Sequence, residues 1–265
     1  MLVGDDFLKF RIGDYVSRIS HKHDIVFKIV GFDNDIVYLY GVDFRLCADS
    51  SIDDLVKVDN YTNVDDRKIV QDNIRDYDFD RNQFFYLPGK ILHIDSDSDY
   101  LDRCMDFYRN MNIKANGLVI LENEIAGRIF DLLVQYKPDI VVITGHDSYN
   151  NKDLKLLDNY ENTTNYINAV KAARKYERSQ DKLIIVAGAC QSNYEELIKA
   201  GANFASSPKR VNIHALDPAI IASSIALSDK HENIELIKII EKTKYGKDGV
   251  GGIISNGTMY VGYPR

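Results

Sequence analysis

Two stretches decide the fold: Ile140-Val141-Val142-Ile143-Thr144-Gly145-His146-Asp147-Ser148 and Leu183-Ile184-Ile185-Val186-Ala187-Gly188-Ala189-Cys190-Gln191-Ser192. Each opens on four aliphatic residues, then narrows to small ones before a polar side chain. Short runs apolar on both faces belong to the central strands of a parallel sheet covered by helices on either side. Residues 91–94 and 118–121 read the same way. Between the runs the period becomes helical. Leu101, Cys104, Tyr108 and Met111 share one face, as do Ile125, Ile129, Leu132 and Leu133, and then Ile167, Val170 and Ala173. This alternation predicts an open, mostly parallel α/β sheet over residues 89–265, whose ligands meet the carboxyl ends of the strands.

Upstream the pattern is different. Gly13-Asp14-Tyr15-Val16 opens a strand, residues 25–32 and 36–40 form two more around the turn Phe32-Asp33-Asn34-Asp35, and residues 45–47 and 55–58 supply short ones. Strands so short and closely spaced predict an SH3-like β-barrel over residues 1–60. A polar connector over 61–88, with one helix near 65–75, leads to the α/β domain. The fold class is therefore α/β, a small barrel followed by an open sheet.

Composition narrows the function. The 265 residues carry 33 Lys+Arg against 40 Asp+Glu, a net charge of −7, which disfavours nucleic acid and acidic membranes as partners. Residues 1–60 alone hold 7 basic against 11 acidic side chains, so the barrel is not read as a nucleic-acid module. A hydrophobic content of 45% is ample for a packed core, and no apolar run approaches the roughly 20 residues of a membrane helix. The opening MLVGDDFLKF puts two aspartates where a secretory leader would be basic. Three cysteines cannot close a disulfide framework, so the expected setting is reducing and cytoplasmic.

The chemistry should then sit at the strand ends. The first run leads into Asp95, Ser96 and Asp97, the second into Glu122, the third into Gly145, His146 and Asp147, and the fourth into Cys190. A thiol needs a base or an imidazolium nearby to be populated as the nucleophilic thiolate. His146 and Cys190, ending consecutive strands, meet that need. Ser192-Asn193-Tyr194-Glu195 has capping-box spacing, which would set Cys190 just ahead of a helix N-terminus. The Cys190 backbone N–H, with one near Gly145 or Asp147, would receive a developing oxyanion. The set suits acyl transfer and requires no metal or organic cofactor.

Other polar residues read as structural. Cys104 lies on an apolar stripe, Cys47 follows a barrel strand, His21 and His23 mark an exposed hairpin tip, and Gly249, Gly251, Gly252 and Asn256-Gly257 punctuate a terminal hairpin. Two rival functions stay open on the residues alone. A receiver-like signalling or binding module would explain Asp95, Asp97 and Ala200-Gly201-Ala202, but Thr144-Gly145 stands where a phosphoacceptor belongs and Ser207 where a lysine would precede Pro208. A cysteine amidohydrolase would need His214 as base, because its histidine normally follows the nucleophile, and Ser192 replaces the glycine of a nucleophile elbow.

A strand ending in histidine, followed 44 residues later by Ala189-Cys190, resembles the caspase-like clan of cysteine peptidases. The blocks Ile185-Val186-Ala187-Gly188-Ala189-Cys190-Gln191-Ser192-Asn193-Tyr194 and Ala200-Gly201-Ala202-Asn203-Phe204-Ala205-Ser206-Ser207-Pro208 are more specific. Together with Thr144-Gly145-His146-Asp147 and Gly13-Asp14-Tyr15-Val16, they resemble the YabG-type sporulation peptidases across nearly the whole chain. The resemblance implies a cysteine endopeptidase of the mother-cell cytoplasm that trims spore-coat and germination-related proteins, with Cys190 as nucleophile and His146 as its partner. It also implies cleavage after arginine, for which Asp95, Asp97 and Asp217 are the candidate selecting carboxylates. Asp147 departs from the clan, where glycine usually follows the histidine. Arg174, Lys175, Arg178 and Lys182, lying between the His and Cys blocks, are candidate sites of self-cleavage.

Overall fold

The computed structural model describes residues 10–59, 61, 66–75, 79, 81–150 and 153–264, so the charged start of the chain lies outside the described residues. The chain divides into two compact units, with the break between Asp66 and Arg67.

The first unit is a five-stranded antiparallel sheet built from β1 (Tyr15–Arg18), β2 (Val26–Asp33), β3 (Ile36–Gly41), β4 (Cys47–Ser51) and β5 (Leu55–Lys57), ordered β4-β3-β2-β1-β5. Alternation builds its core. Phe27, Ile29, Val37 and Leu39 point to one face with Val16 and Leu55, while their neighbours on β2 and β3 are mostly exposed. A bulge between Ile29 and Gly31 shifts the alternation, so that Val30 is exposed and Phe32 is the next side chain packed against this core. Among the described residues no pairing joins β4 to β5, so the sheet is open and not the closed barrel expected. β4, reading Cys-Ala-Asp-Ser-Ser, is polar enough to stand as an unpaired edge. Cys47, at its start, is exposed.

The second unit carries the predicted α/β sheet: β7 (Ile91–Asp95), β8 (Ala115–Val119), β9 (Ile140–Thr144), β10 (Ile184–Ala187), β11 (Phe204–Ser206) and β12 (Val250–Gly252), ordered β12-β11-β10-β9-β7-β8. All neighbours are parallel except β11 and β12. The second apolar run is displaced from its expected place. The strand is Ala115–Val119, and Leu121 instead precedes the next helix. As an edge strand paired only to β7, β8 needs no doubly apolar run and is only partly buried.

Helices α2 (Ser98–Asn110), α6 (Asp217–Ala226) and α7 (Leu236–Glu241) pack on one face of this sheet, and α3 (Glu122–Tyr136), α4 (Thr163–Tyr176) and α5 (Tyr194–Ala200) on the other. All ten residues of α6 are buried, which is why it shows no polar stripe. The helix before the sheet, α1 (Asp66–Arg75), sends Val70 into the same core as α6. The terminal hairpin expected around Gly249 and Gly257 does not form. β12 extends the main sheet instead, and β13 (Tyr260–Gly262) pairs with β6 (Phe85–Leu87), a strand inside the expected connector. β8 and β9 lie on opposite sides of β7, so the chain reverses its winding direction there, the switch point at whose carboxyl edge open α/β sheets bind their ligands.

Candidate active site

Register puts the strand-end residues at matching heights. Asp95 of β7 pairs with Thr144 of β9, and Ile143 of β9 pairs with Ala187 of β10. Asp97 and His146 therefore each lie two residues beyond a paired position. His146 and Cys190 each lie three beyond the other pair, on strands about 5 Å apart. Two glycines shape the exits. Gly188 has φ +102°, a left-handed conformation that turns the chain after β10, and a Cβ there would lie 2.8 Å from Leu197 Cδ1. A Cβ on Gly145 would collide with Ser96 Oγ, and would lie 2.6 Å from Glu122 Oε1 and 2.9 Å from Tyr166 Oη.

His146 is held at every point. Its backbone N–H donates to Glu122 Oε1 (2.9 Å), which also accepts from Ser96 Oγ (2.5 Å). Its carbonyl accepts from Asn162 Nδ2 (3.1 Å) and Tyr166 Oη (3.0 Å). The imidazole Nε2 lies 2.9 Å from Asp97 Oδ2, and the ring tilts against that of Tyr100 at 5.9 Å between centroids. A quarter of the His146 side chain stays accessible, 26%, against 12% for Asp97.

Asp147 turns the other way. Its carboxylate accepts from Ser148 N, Asn162 N, Thr163 Oγ1 (2.5 Å) and Ser192 Oγ (2.8 Å). Burial pushes this carboxyl above the ordinary range, against the pull of those four donors. Ser192 Oγ in turn accepts from Ala189 N, so one buried carboxylate ties the loop carrying His146 to the loop carrying Cys190. The capping box expected at Ser192 is displaced by this duty: Asn193 caps α5, accepting from Glu196 N.

The Cys190 thiol is fully buried beneath residues 211–214. Ile213 N–H donates to Sγ (3.3 Å), and the sulfur lies 3.9 Å from the Ile213 carbonyl. Gln191 N–H reaches Val211 O and Ser207 Oγ, and Gln191 Nε2 donates to Asn212 Oδ1. Arg210 fastens this cover to its surroundings, donating to Tyr160 Oη (2.8 Å) and Glu195 Oε2 (2.6 Å). Gln191, Ser207 and Arg210 all have left-handed φ, from 54° to 67°, a concentration of backbone strain of the kind found at functional sites.

Of the candidate selecting carboxylates, Asp95 and Asp217 are buried. Asp95 accepts from Asp97 N, and Asp217 from His214 N and Lys244 N. His214 is buried too, with Nδ1 accepting from Leu216 N. Cys104 lies in the core against Ala215 O, and His21 and His23 are exposed between β1 and β2. Arg174 spends its guanidinium on Gly201, Glu177, Ser179 and Leu183 carbonyls and on Asn203 Oδ1, while Lys175, Arg178 and Lys182 are exposed. Glu122, Asn162, Tyr166 and the cover over the thiol were not singled out as site residues by sequence. They act across loops distant in the chain, and Glu122 alone offered a signal, as a carboxylate at a strand end. Among the described residues no cluster of His, Cys, Asp or Glu has the geometry to hold a metal ion, and no helix is long and apolar enough to cross a membrane.

Comparison with known proteins gives the family. One solved structure, of a putative two-component system response regulator/GGDEF domain protein, is 18% identical, covers 44% of this chain and 41% of its own, and has a TM-score of 0.31, too low to bear on fold or function. The sporulation-specific protease YabG of Bacillus subtilis (strain 168) is 36% identical over 286 aligned residues, which span 97% of this chain and 99% of that protein. The sequence profile described as YabG peptidase U57 matches residues 11–79 and 64–264. The chain therefore belongs to the YabG peptidase U57 family, a family of peptidases.

Proposed function

We propose that the protein is a cysteine endopeptidase of sporulation in which Cys190 is the nucleophile and His146 its proton partner. The single observation supporting this most is the register of β9 on β10, which sets these two residues equally far past a paired position on neighbouring strands at the carboxyl edge. Residues 211–214 lift to admit the substrate. The thiolate then attacks the scissile carbonyl carbon, and N–H groups of Cys190 and of Gly145 or Asp147 receive the oxyanion. The C–N bond breaks as the His146 imidazolium gives its proton to the leaving amine. Water, losing a proton to His146, attacks the thioester, and the thiol is regenerated with a new carboxylate. None of these steps draws on a cofactor.

Its substrates in this reading are spore-coat and germination-related proteins in the mother-cell cytoplasm, cut after arginine, with self-cleavage at exposed Arg178 or Lys182. The sporulation role rests on the kinship with the Bacillus protease. The test is cleavage of an arginine-containing coat-protein substrate by the purified chain and by Cys190→Ala, with circular dichroism as a check on folding. Loss of cleavage in a folded Cys190→Ala supports the assignment; full activity in that variant refutes it. His146→Ala and His214→Ala, compared side by side, separate this dyad from an amidohydrolase-like arrangement.

A further inference from the structure

Asp97 divides its two carboxylate oxygens between separate tasks. Oδ1 accepts from Asp99 N (3.0 Å) and Tyr100 N (3.1 Å), capping the thirteen-residue helix α2. Oδ2 faces His146 Nε2 at 2.9 Å. The cap removes the carboxylate's freedom to rotate, and the positive end of α2 favours its charged form. Asp95 Oδ1 accepts the Asp97 backbone N–H (3.0 Å), fixing the turn in which the residue sits.

We propose, building on the Cys190–His146 reading, that Asp97 is the positioning residue of the site: it accepts the His146 Nε2–H, fixes the imidazole tautomer, and leaves Nδ1 as the nitrogen that exchanges the proton with Cys190 and the leaving amine. An ionised carboxylate can only accept, so the ring nitrogen facing it must carry hydrogen, and the basic lone pair is placed on the other nitrogen. When the ring becomes imidazolium, the carboxylate 2.9 Å away stabilises the charge in a pocket mostly shielded from water. The other carboxylates and the hydroxyl bound near His146 have duties elsewhere. Glu122 is spent on its backbone N–H, Tyr166 on its carbonyl, and Asp147 on Ser192 and Thr163. Tyr100 offers a ring face, and Cys190 follows neighbouring β10 with its Sγ against Ile213. Selection of an arginine side chain is thereby removed from Asp97, the one sequence candidate among the three that is not buried.

Asp97→Asn in the full chain tests this, because asparagine is as good a helix cap as aspartate, so α2 is retained while the charge is lost. The expected result is a fall in kcat of about 10²- to 10⁴-fold with KM within about twofold, since the lost interaction grows in the transition state. The alkaline limb of kcat/KM should move to lower pH, and NMR titration of the His146 ring should show its proton lost at lower pH than in the parent. Asp97→Glu should recover part of the rate. An unshifted pH profile and ring titration, or a change confined to KM and to the residue preferred before the cut, would overturn the positioning role. Failure of the underlying reading has a different signature, full activity in Cys190→Ala, and that result would overturn both assignments.

Discussion

Replacing Arg210 with alanine should unlatch the cover over Cys190. The guanidinium reaches Ser207 O and Pro208 O within the covering segment, and these bonds do not tether it. The tethers are the bonds to Tyr160 Oη and Glu195 and the approach of the guanidinium to 5.6 Å from the Tyr160 ring centroid. The Glu195 side chain is 55% exposed, so solvent screens that ion pair to below about 1 kcal/mol. The tyrosine bond adds about 1 kcal/mol and the ring contact about 0.5 kcal/mol. Losing roughly 2 kcal/mol favours the open state by about 30-fold. The bonds Ile213 N–H to Sγ and Gln191 N–H to Val211 O survive, so the thiol stays partly guarded. Alkylation by iodoacetamide, followed at each cysteine by mass spectrometry, reads the opening directly. Cys47 is exposed and should react at an unchanged rate, Cys104 lies in the core and reports global unfolding, and Cys190 alone should quicken by about 10- to 30-fold. An unchanged Cys190 rate, or one that rises in step with Cys104, would refute the latch.

Three further outcomes follow from the same geometry. Gly188→Ala forces an L-residue into φ +102° against Leu197, which should cost about 1–3 kcal/mol in urea unfolding and lower kcat; unchanged stability would show that the β10 exit relaxes freely. Arg174→Ala takes a donor from the Gly201 carbonyl and the buried Leu183 carbonyl and leaves Asn203 Oδ1 with Ile185 N–H alone, removing a guanidinium whose pKa burial lowers to about 10, and should cost about 3 kcal/mol, or roughly 6–12 °C in thermal midpoint. Asp147 holds its proton more tightly folded than unfolded, because burial raises its pKa, so its stability contribution is greatest in acid and falls as pH rises through the raised value. Urea midpoints measured from about pH 4 to 7 should fall less steeply for Asp147→Asn than for the parent; parallel curves would contradict this.

The central strands were legible because burial on both faces leaves a doubly apolar run, as in Ile140-Val141-Val142-Ile143 and Ile184-Ile185-Val186. Edges leave no such trace. β4 is polar, β8 half-buried, and β12 is glycine-rich, so each was misplaced or missed, and the expected barrel turned on pairings that no local pattern encodes. At the site, the strand-end residues could be named because parallel strands deliver their ends to one rim. What each does there could not be. Asp97 meets His146 across 49 residues, and Ser192 leaves its expected capping role for Asp147 across 45. The cover over the thiol was equally hidden, because residues 207–214 carry no periodicity and matter only for what they lie upon.

The measurement that most directly tests the central claim is covalent labelling by a peptidyl-arginine acyloxymethyl ketone, mapped by mass spectrometry over the three cysteines. Accessibility alone would direct the reagent to exposed Cys47, whereas a thiol activated by His146 directs it to buried Cys190. The account predicts one label per chain, on Cys190, lost in His146→Ala and accompanied by loss of peptide cleavage. Labelling of Cys47 alone, with peptide cleavage undiminished, would contradict it.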